Sequence, residues 1–264
     1  MQCSKPIKLV AASLLLTSSV SALAQEPDSP PPASGPPPGD HVLLGIGTIY
    51  MPSRQGSDNY RVLTLPAIDI AKGRLFANLK DGVGFNLVQT PVLSVGTSVA
   101  VMPGFRQRDV PKGIDSVGFG AGARVFANLR AGGLIATIGA TQGFAGSTKG
   151  LIADASIAYP ISVSPRLMVV PALSTSWANG KHNDRYFGID AAEAQASGLR
   201  EYHPGSGFKD ASISVSANYR LNSRLSLGAT VGVTTLIGDV KNSPLTEKST
   251  QPLAILSMTY RLSP

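Results

Sequence analysis

The sequence predicts a closed antiparallel transmembrane β-barrel of about twelve strands, within a range of ten to fourteen, carrying a short helix in its longest outer loop. Three observations carry this: a strict period-2 alternation repeated along the chain, segments of 9–13 residues that keep it, and connections that alternate between short and long. Side chains on a strand point to opposite faces in turn, so alternation gives every strand one apolar and one small-polar side. A soluble sandwich alternates as well, but its strands are typically ~5–6 residues long, whereas a tilted membrane-spanning strand needs ~9–11.

The chain begins with a segment read as a secretory leader, residues 1–24. Lys5 and Lys8 precede an apolar stretch from Leu9 to Val20, and Ala22-Leu23-Ala24 places small residues before a cleavage point at Gln25. That stretch is too short to span ~30 Å of hydrocarbon as a helix. Residues 25–40 form a Pro-rich spacer, with Pro30-Pro31-Pro32 and Pro36-Pro37-Pro38, which favours solvated polyproline II. Residues 41–264 remain for the barrel, and no later segment is apolar enough for a transmembrane helix.

Strands are placed at 41–50, 60–71, 74–79, 83–88, 92–102, 115–127, 133–142, 149–159, 166–177, 209–220, 224–236 and 251–262. Leu225, Leu227, Ala229, Val231 and Val233 oppose Ser226, Gly228, Thr230 and Gly232; Ile213, Val215, Ala217 and Tyr219 oppose Ser212, Ser214, Ser216 and Asn218. Val117, Phe119, Ala121, Ala123 and Val125 are assigned to one face of the sixth strand. The last strand would turn Ala254, Leu256, Met258, Tyr260 and Leu262 towards lipid. Hydrocarbon offers no partner to a backbone N–H or C=O, so such a sheet must close on itself. Connections at 51–59, 103–114, 143–148, 178–208 and 237–250 are the long ones, expected outside; the short turns are expected in the periplasm, with 80–82 breaking the pattern. Tyr159, Tyr219 and Tyr260 near one end, and Tyr50 and Trp177 near the other, suit interfacial girdles.

Composition excludes several functions. The only cysteine, Cys3, lies in the leader, so the mature chain has no disulfide framework, thiolate zinc site or thiol nucleophile. Three histidines (His41, His182, His203) do not make a multi-histidine metal centre, and no cofactor motif is present. Removing Lys5 and Lys8 lowers the net charge from +7 to +5, with no basic run to serve nucleic acid.

Within 178–208, Asp190 followed by Glu193 forms a capping box, Ala191 to Ser197 favours helix, and Gly198 suits the helix end. This segment is expected to fold over the barrel mouth, either as a gate or as a plug that packs Tyr186 and Phe187. Arg124 and Asp154 fall on the inner face, where they can pair or tune ion passage. Asp239 can accept hydrogen bonds within its own turn. His182 and Asp184 with Ser176 or Ser206 have the composition of a hydrolase relay, but there is no nucleophile elbow to anchor one.

Two segments carry a family resemblance. Asn183-Asp184-Arg185-Tyr186-Phe187-Gly188-Ile189, followed by Gln195-Ala196-Ser197-Gly198-Leu199 and Tyr202, resembles the signature of the MipA/OmpV family. Gly238-Asp239 with Ser243-Pro244-Leu245 is similar to that family's last outer loop, and Gly56-Ser57-Asp58 and Gly73-Arg74-Leu75-Phe76 also fit. The resemblance runs over about 41–262; members commonly end on an aromatic, whereas Tyr260-Arg261-Leu262 is followed here by Ser263-Pro264. It implies a non-enzymatic outer-membrane protein of a Gram-negative envelope, and makes Tyr186, Phe187, Gly188, Ser197, Gly198, Tyr202, Asp239, Ser243 and Pro244 candidate interaction residues. The family's name-giving member is a scaffold joining a membrane-bound lytic transglycosylase to a bifunctional peptidoglycan synthase, a penicillin-binding protein. The implied partners are therefore those two enzymes, outer-membrane lipid and the barrel assembly machinery. A small pore for nutrients or drugs is the alternative, and a barrel hydrolase the third reading.

Overall fold

The computed structural model describes residues 39–262. The expected leader, most of the Pro-rich spacer and the final Ser263-Pro264 lie outside the described residues. The strands are β1 (His41–Pro52), β2 (Tyr60–Lys72), β3 (Leu75–Asn78), β4 (Gly82–Gln89), β5 (Leu93–Met102), β6 (Gly120–Ala131) and β7 (Leu134–Gly146). They continue as β8 (Leu151–Ala158), β9 (Ile161–Ser164), β10 (Leu167–Ala178), β11 (Gly207–Arg220), β12 (Leu225–Leu236) and β13 (Thr250–Arg261). Two helices, α1 (Gly180–Phe187) and α2 (Ala191–Ser197), lie between β10 and β11. Neither is long or apolar enough to cross a membrane.

Twelve strands close the ring, all antiparallel. The seam is β1 against β13, in register from Leu43↔Arg261 to Tyr50↔Ala254. The thirteenth segment, β9, pairs only with β10; Pro160 ends the β8 ladder, and β9 extends the hairpin beyond it.

Facing follows the alternation. On β13, Leu256, Met258 and Tyr260 are exposed while Leu253 is buried; on β12, Val231 points out and Thr230 points in, bonded to Ser216 Oγ at 2.9 Å. Tyr50 stacks on Tyr60 at the end carrying the long loops, with centroids 5.1 Å apart. Tyr159, Tyr219 and Tyr260 are exposed at the end carrying the tight turns.

The sixth strand differs from expectation at both ends. It starts at Gly120, not 115, because Val117 is buried in the preceding loop, where it bridges Phe105; only from Phe119 onward do odd-numbered residues reach the outside. At its far end it runs to Ala131 and turns over Gly132-Gly133, both with positive φ, to pair with Leu134. Two glycines supply the left-handed pair that a two-residue hairpin needs.

The wall is not of uniform height. β3 has four residues and pairs with β2 only from Asp69↔Asn78 to Lys72↔Leu75, so the β3–β4 hairpin turns at Leu79–Asp81, part-way up the wall.

Candidate functional site

The long connections meet above the ring and form a cap. α1 starts where Asn179 Oδ1 accepts the His182 amide at 3.0 Å, and ends at Gly188, whose N–H reaches Asp184 O at 2.7 Å. α2 has the reciprocal capping box: Asp190 Oδ1 accepts the Glu193 amide at 2.8 Å, and Glu193 Oε2 accepts that of Asp190 at 3.1 Å. Gly198 closes it in the left-handed region, φ 75°. The sequence locates α2 to the residue but gives no warning of α1, whose residues are mostly polar. Ile189 and Tyr202 then exchange backbone hydrogen bonds of 2.8 and 2.9 Å, folding the segment back on itself.

Two small apolar cores hold this cap down. Ile114, Ile189 and Leu245 form one, with Leu199 and Tyr202 against it; Phe187, Leu236 and Val240 form the other, beneath Tyr186. Each core joins different loops, so the cap is one packed unit.

The sequence-selected residues are brought together here. Phe187 is fully buried, and its carbonyl accepts Ser243 Oγ at 2.6 Å. Tyr186 donates its hydroxyl to Pro103 O, meets Phe105 edge-on and stacks on His182. Burial raises its pKa. Tyr202 donates to Asp239 O at 2.8 Å, and the Asp239 carboxylate accepts Gly205 N at 3.0 Å, a bond between loops and not within its own turn. Ser197 Oγ caps Glu193 O at 2.6 Å, and Pro244 is half-buried between Ser243 and Leu245. Gly188 has no room for a side chain, since a Cβ would stand 2.3 Å from Asp184 O. These residues build the cap from within, and several expose little for a partner to touch.

The hydrolase candidates do not form a relay. Asp184 binds His203 Nδ1 at 2.8 Å, Ser176 donates to Asp210 at 2.8 Å, and Ser206 accepts Gly180 N at 2.7 Å. His182 is buried with Nδ1 unpartnered, and burial, then the positive charge of Lys209, pushes its pKa down to about 3. Among the described residues no group of three or more metal-ligating side chains gathers.

Arg54, unnoticed in the sequence, ties three loops together. Its guanidinium donates to Asp109 O at 3.0 Å and Leu245 O at 2.5 Å, and pairs with Glu247 at 2.9 Å. Gln251, fully buried, clamps the first loop by accepting Gly56 N at 2.8 Å and donating to Ser57 O at 2.6 Å.

Inside the ring, Arg124 and Asp154 form a two-point ion pair at 2.6 and 3.0 Å, while Arg124 Nε binds Asp81 at 3.0 Å. One buried cation thus bridges two carboxylates and draws the β3–β4 turn inward. Beside it, a cavity of about 210 Å³ is lined by Leu43, Ile49, Leu65, Leu79, Lys80 and Asn218, among others.

The turn end of the barrel has its own electrostatics. Among the described residues it carries Lys72, Arg74, Arg130, Arg166, Arg220, Arg224 and Arg261, against only Asp40 and Asp69. Asp69 is also paired with His41 at 3.2 Å. Lys72, Arg74, Arg166 and Arg224 are exposed. The other acids among the described residues sit in the lumen or the cap, so the strong cationic bias belongs to one rim.

The profile of the family described as MltA-interacting protein MipA matches residues 44–262, nearly the whole ring. The chain belongs to this family. The MltA-interacting protein of Escherichia coli (strain K12) is 28% identical over 115 residues, 44% of this chain and 46% of that protein, so the match spans about half of that relative. A 24 kDa outer membrane protein of Pasteurella multocida (strain Pm70) is 21% identical over 84% of this chain and 91% of its own length. Among solved structures, a NanC porin aligns over 84% of this chain and 100% of its own, with 7% identity and a TM-score of 0.46. Membership in the MipA family and the closed ring together give an outer-membrane-type β-barrel.

Proposed function

We propose that this MipA-family barrel is a non-enzymatic scaffold in the outer membrane that docks a murein hydrolase, and through it a murein synthase, at its periplasmic rim. In outer-membrane barrels the short turns face the periplasm and the long loops face outward, which assigns the basic rim to the side where murein enzymes work. That rim is the observation that carries the reading: a ring of exposed cations with little opposing charge attracts an acidic protein face and speeds its encounter. The interaction named for the Escherichia coli relative supports the same class of partner. The family-motif residues act in this reading as builders of the cap, on the side away from murein.

The pore reading is less well supported, because the Arg124 ion cluster and the packed cap both occupy the route through the ring. The cleaved export leader (residues 1–24) and the Pro-rich periplasmic spacer (residues 25–40) belong to the same proposal, as they would deliver the first strand from the periplasmic side. Capture experiments test it: the full mature barrel, reconstituted in vesicles, should retain a purified membrane-bound lytic transglycosylase and a penicillin-binding protein. Charge reversal of Arg74, Arg166 and Arg224 to glutamate should abolish retention, while Tyr202→Phe in the cap should leave it intact. Retention unaffected by the reversal, or no retention of either enzyme by the wild type, overturns the proposal.

A further inference from the structure

The uneven wall leaves an opening. β2 pairs with β1 over its whole length, but on its other side only Asp69 to Lys72 meet β3, so Tyr60 to Ile68 have no strand beside them. Across the gap, the last β4–β5 pair is Val83↔Val99 and Gly82 lies against Ala100, leaving Val101 and Met102 without a strand on that side. A four-residue strand rises roughly 13 Å, less than half of a ~30 Å hydrocarbon layer. The window is therefore bounded by β2, by β5, and by the Leu79–Asp81 turn below. Above it the loop 103–119 forms a lintel, fastened to β2 by Arg61 Nη1–Asp109 Oδ2 at 3.3 Å.

The sequence of β2 accommodates this free edge. Pro66 stands in the middle of the unflanked stretch, where the N–H that proline lacks has no strand to serve. Bare backbone is not tolerated against lipid, but it is tolerated where it lines a passage holding water or a ligand.

What lies behind the window decides what it admits. The inner cavity presents Leu43, Ile49, Leu65 and Leu79 together with the amine of Lys80. Leu65 and Leu79 remain 37% and 46% exposed, although they border the lumen. The nearby carboxylates are engaged: Asp81 and Asp154 by Arg124, Asp69 by His41. Lys80 makes no ion pair within 4 Å among the described residues; Asp81 and Asp154 act on its amine only from a distance, which leaves its hydrogen-bonding positions open beside an apolar wall. We propose that this window is a lateral entry by which a single-chain anionic amphiphile, of which a fatty acid is the simplest case, passes between the bilayer and the lumen. Its head group pairs with Lys80, and its chain lies against Leu43, Ile49 and Leu65. This goes beyond the scaffold reading and does not depend on it.

Photolabelling of the full mature barrel in phospholipid vesicles tests the idea. A long-chain fatty acid bearing a mid-chain diazirine should label Leu43 and Leu65, and the fatty alcohol of equal length should label them about tenfold less. Lys80→Met should bring the acid down to the level of the alcohol, Lys80→Arg should keep the wild-type level, and Leu65→Trp should obstruct entry. Heat-modifiable gel migration reports whether each variant folds; if Lys80→Met does not, the acid-to-alcohol ratio on the wild type decides alone. Equal labelling by acid and alcohol, or labelling confined to outward residues such as Val231 and Leu256, overturns the proposal.

Discussion

A side chain at Gly139 would meet the guanidinium of Arg124: its Cβ would stand 2.4 Å from Nη2 and 2.7 Å from Cζ. Gly139 and Asp154 face each other across β7 and β8, so the cation lies over the glycine to reach its carboxylate. The glycine is a clearance, and the ion cluster depends on it. Gly139→Ala is expected to displace Arg124 and destabilise the barrel by about 1–3 kcal/mol, because a buried charge loses part of its pairing. The midpoint of urea unfolding, followed by gel migration without boiling, measures this. Asp154→Asn should weaken the same cluster, and combining the two should cost less than the sum of each alone.

Neighbours on β12 test the facing. Val231 is 57% exposed on the outer side, so Val231→Arg should cost ~2–4 kcal/mol near the middle of the bilayer and block assembly. Thr230→Arg, one residue away and inward, should assemble close to normally. Equal loss from both would contradict the assigned faces.

Arg54→Ala should free the loops without opening the ring. Each charge-assisted hydrogen bond it removes contributes about 1.5–3 kcal/mol, and the three fasten the first loop to two others, 103–119 at Asp109 and 237–249 at Leu245 and Glu247. Limited proteolysis of intact vesicles should then cut within 103–119 and 237–249, sites resistant in the wild type, while the barrel core stays protected.

Acidification should loosen the cap. His182 has its pKa lowered from 6.5 to about 3, so its neutral form is the one the fold accommodates. Its contribution is complete above pH 6.5 and is lost as pH falls from there towards 3, reaching about 2–3 kcal/mol near pH 4.5. Lys209 opposes its protonation and Asp210 favours it, the first being the stronger influence. His203, held above its usual value by Asp184 and Glu201, is favoured by protonation in the fold, so acidification does not weaken its contribution. Hydrogen exchange of α1 amides, corrected for intrinsic rates, should rise between pH 7 and 4.5 in the wild type and stay flat in His182→Phe.

The alternation made most of the wall readable, because lipid outside and polar lumen inside leave their mark on every second residue. The capping box at Asp190 and Glu193 was equally readable, being local chemistry. Gly132-Gly133 carries a hairpin signal that a longer assigned turn passed over. Val117 alternates correctly but belongs to a loop, since period-2 patterning does not say which apolar face meets protein and which meets lipid. α1 lacks an apolar period and owes its form to Asn179 and to the burial of Phe187. Arg54 and the Arg124 cluster join residues far apart in sequence, up to 193 positions for Arg54 and Glu247, and nothing local announces them. The rim charges were visible as single residues, but only closure of the ring gathers them on one edge.

The seam between β1 and β13 sets the order of assembly. The first strand of the described chain has as its neighbour the thirteenth, and neither has another strand to satisfy that edge. The cylinder therefore cannot shut during synthesis or translocation. Until β13 exists the sheet stays an open ribbon, and zipping of Leu43–Tyr50 onto Ala254–Arg261 is what turns that ribbon into a cylinder.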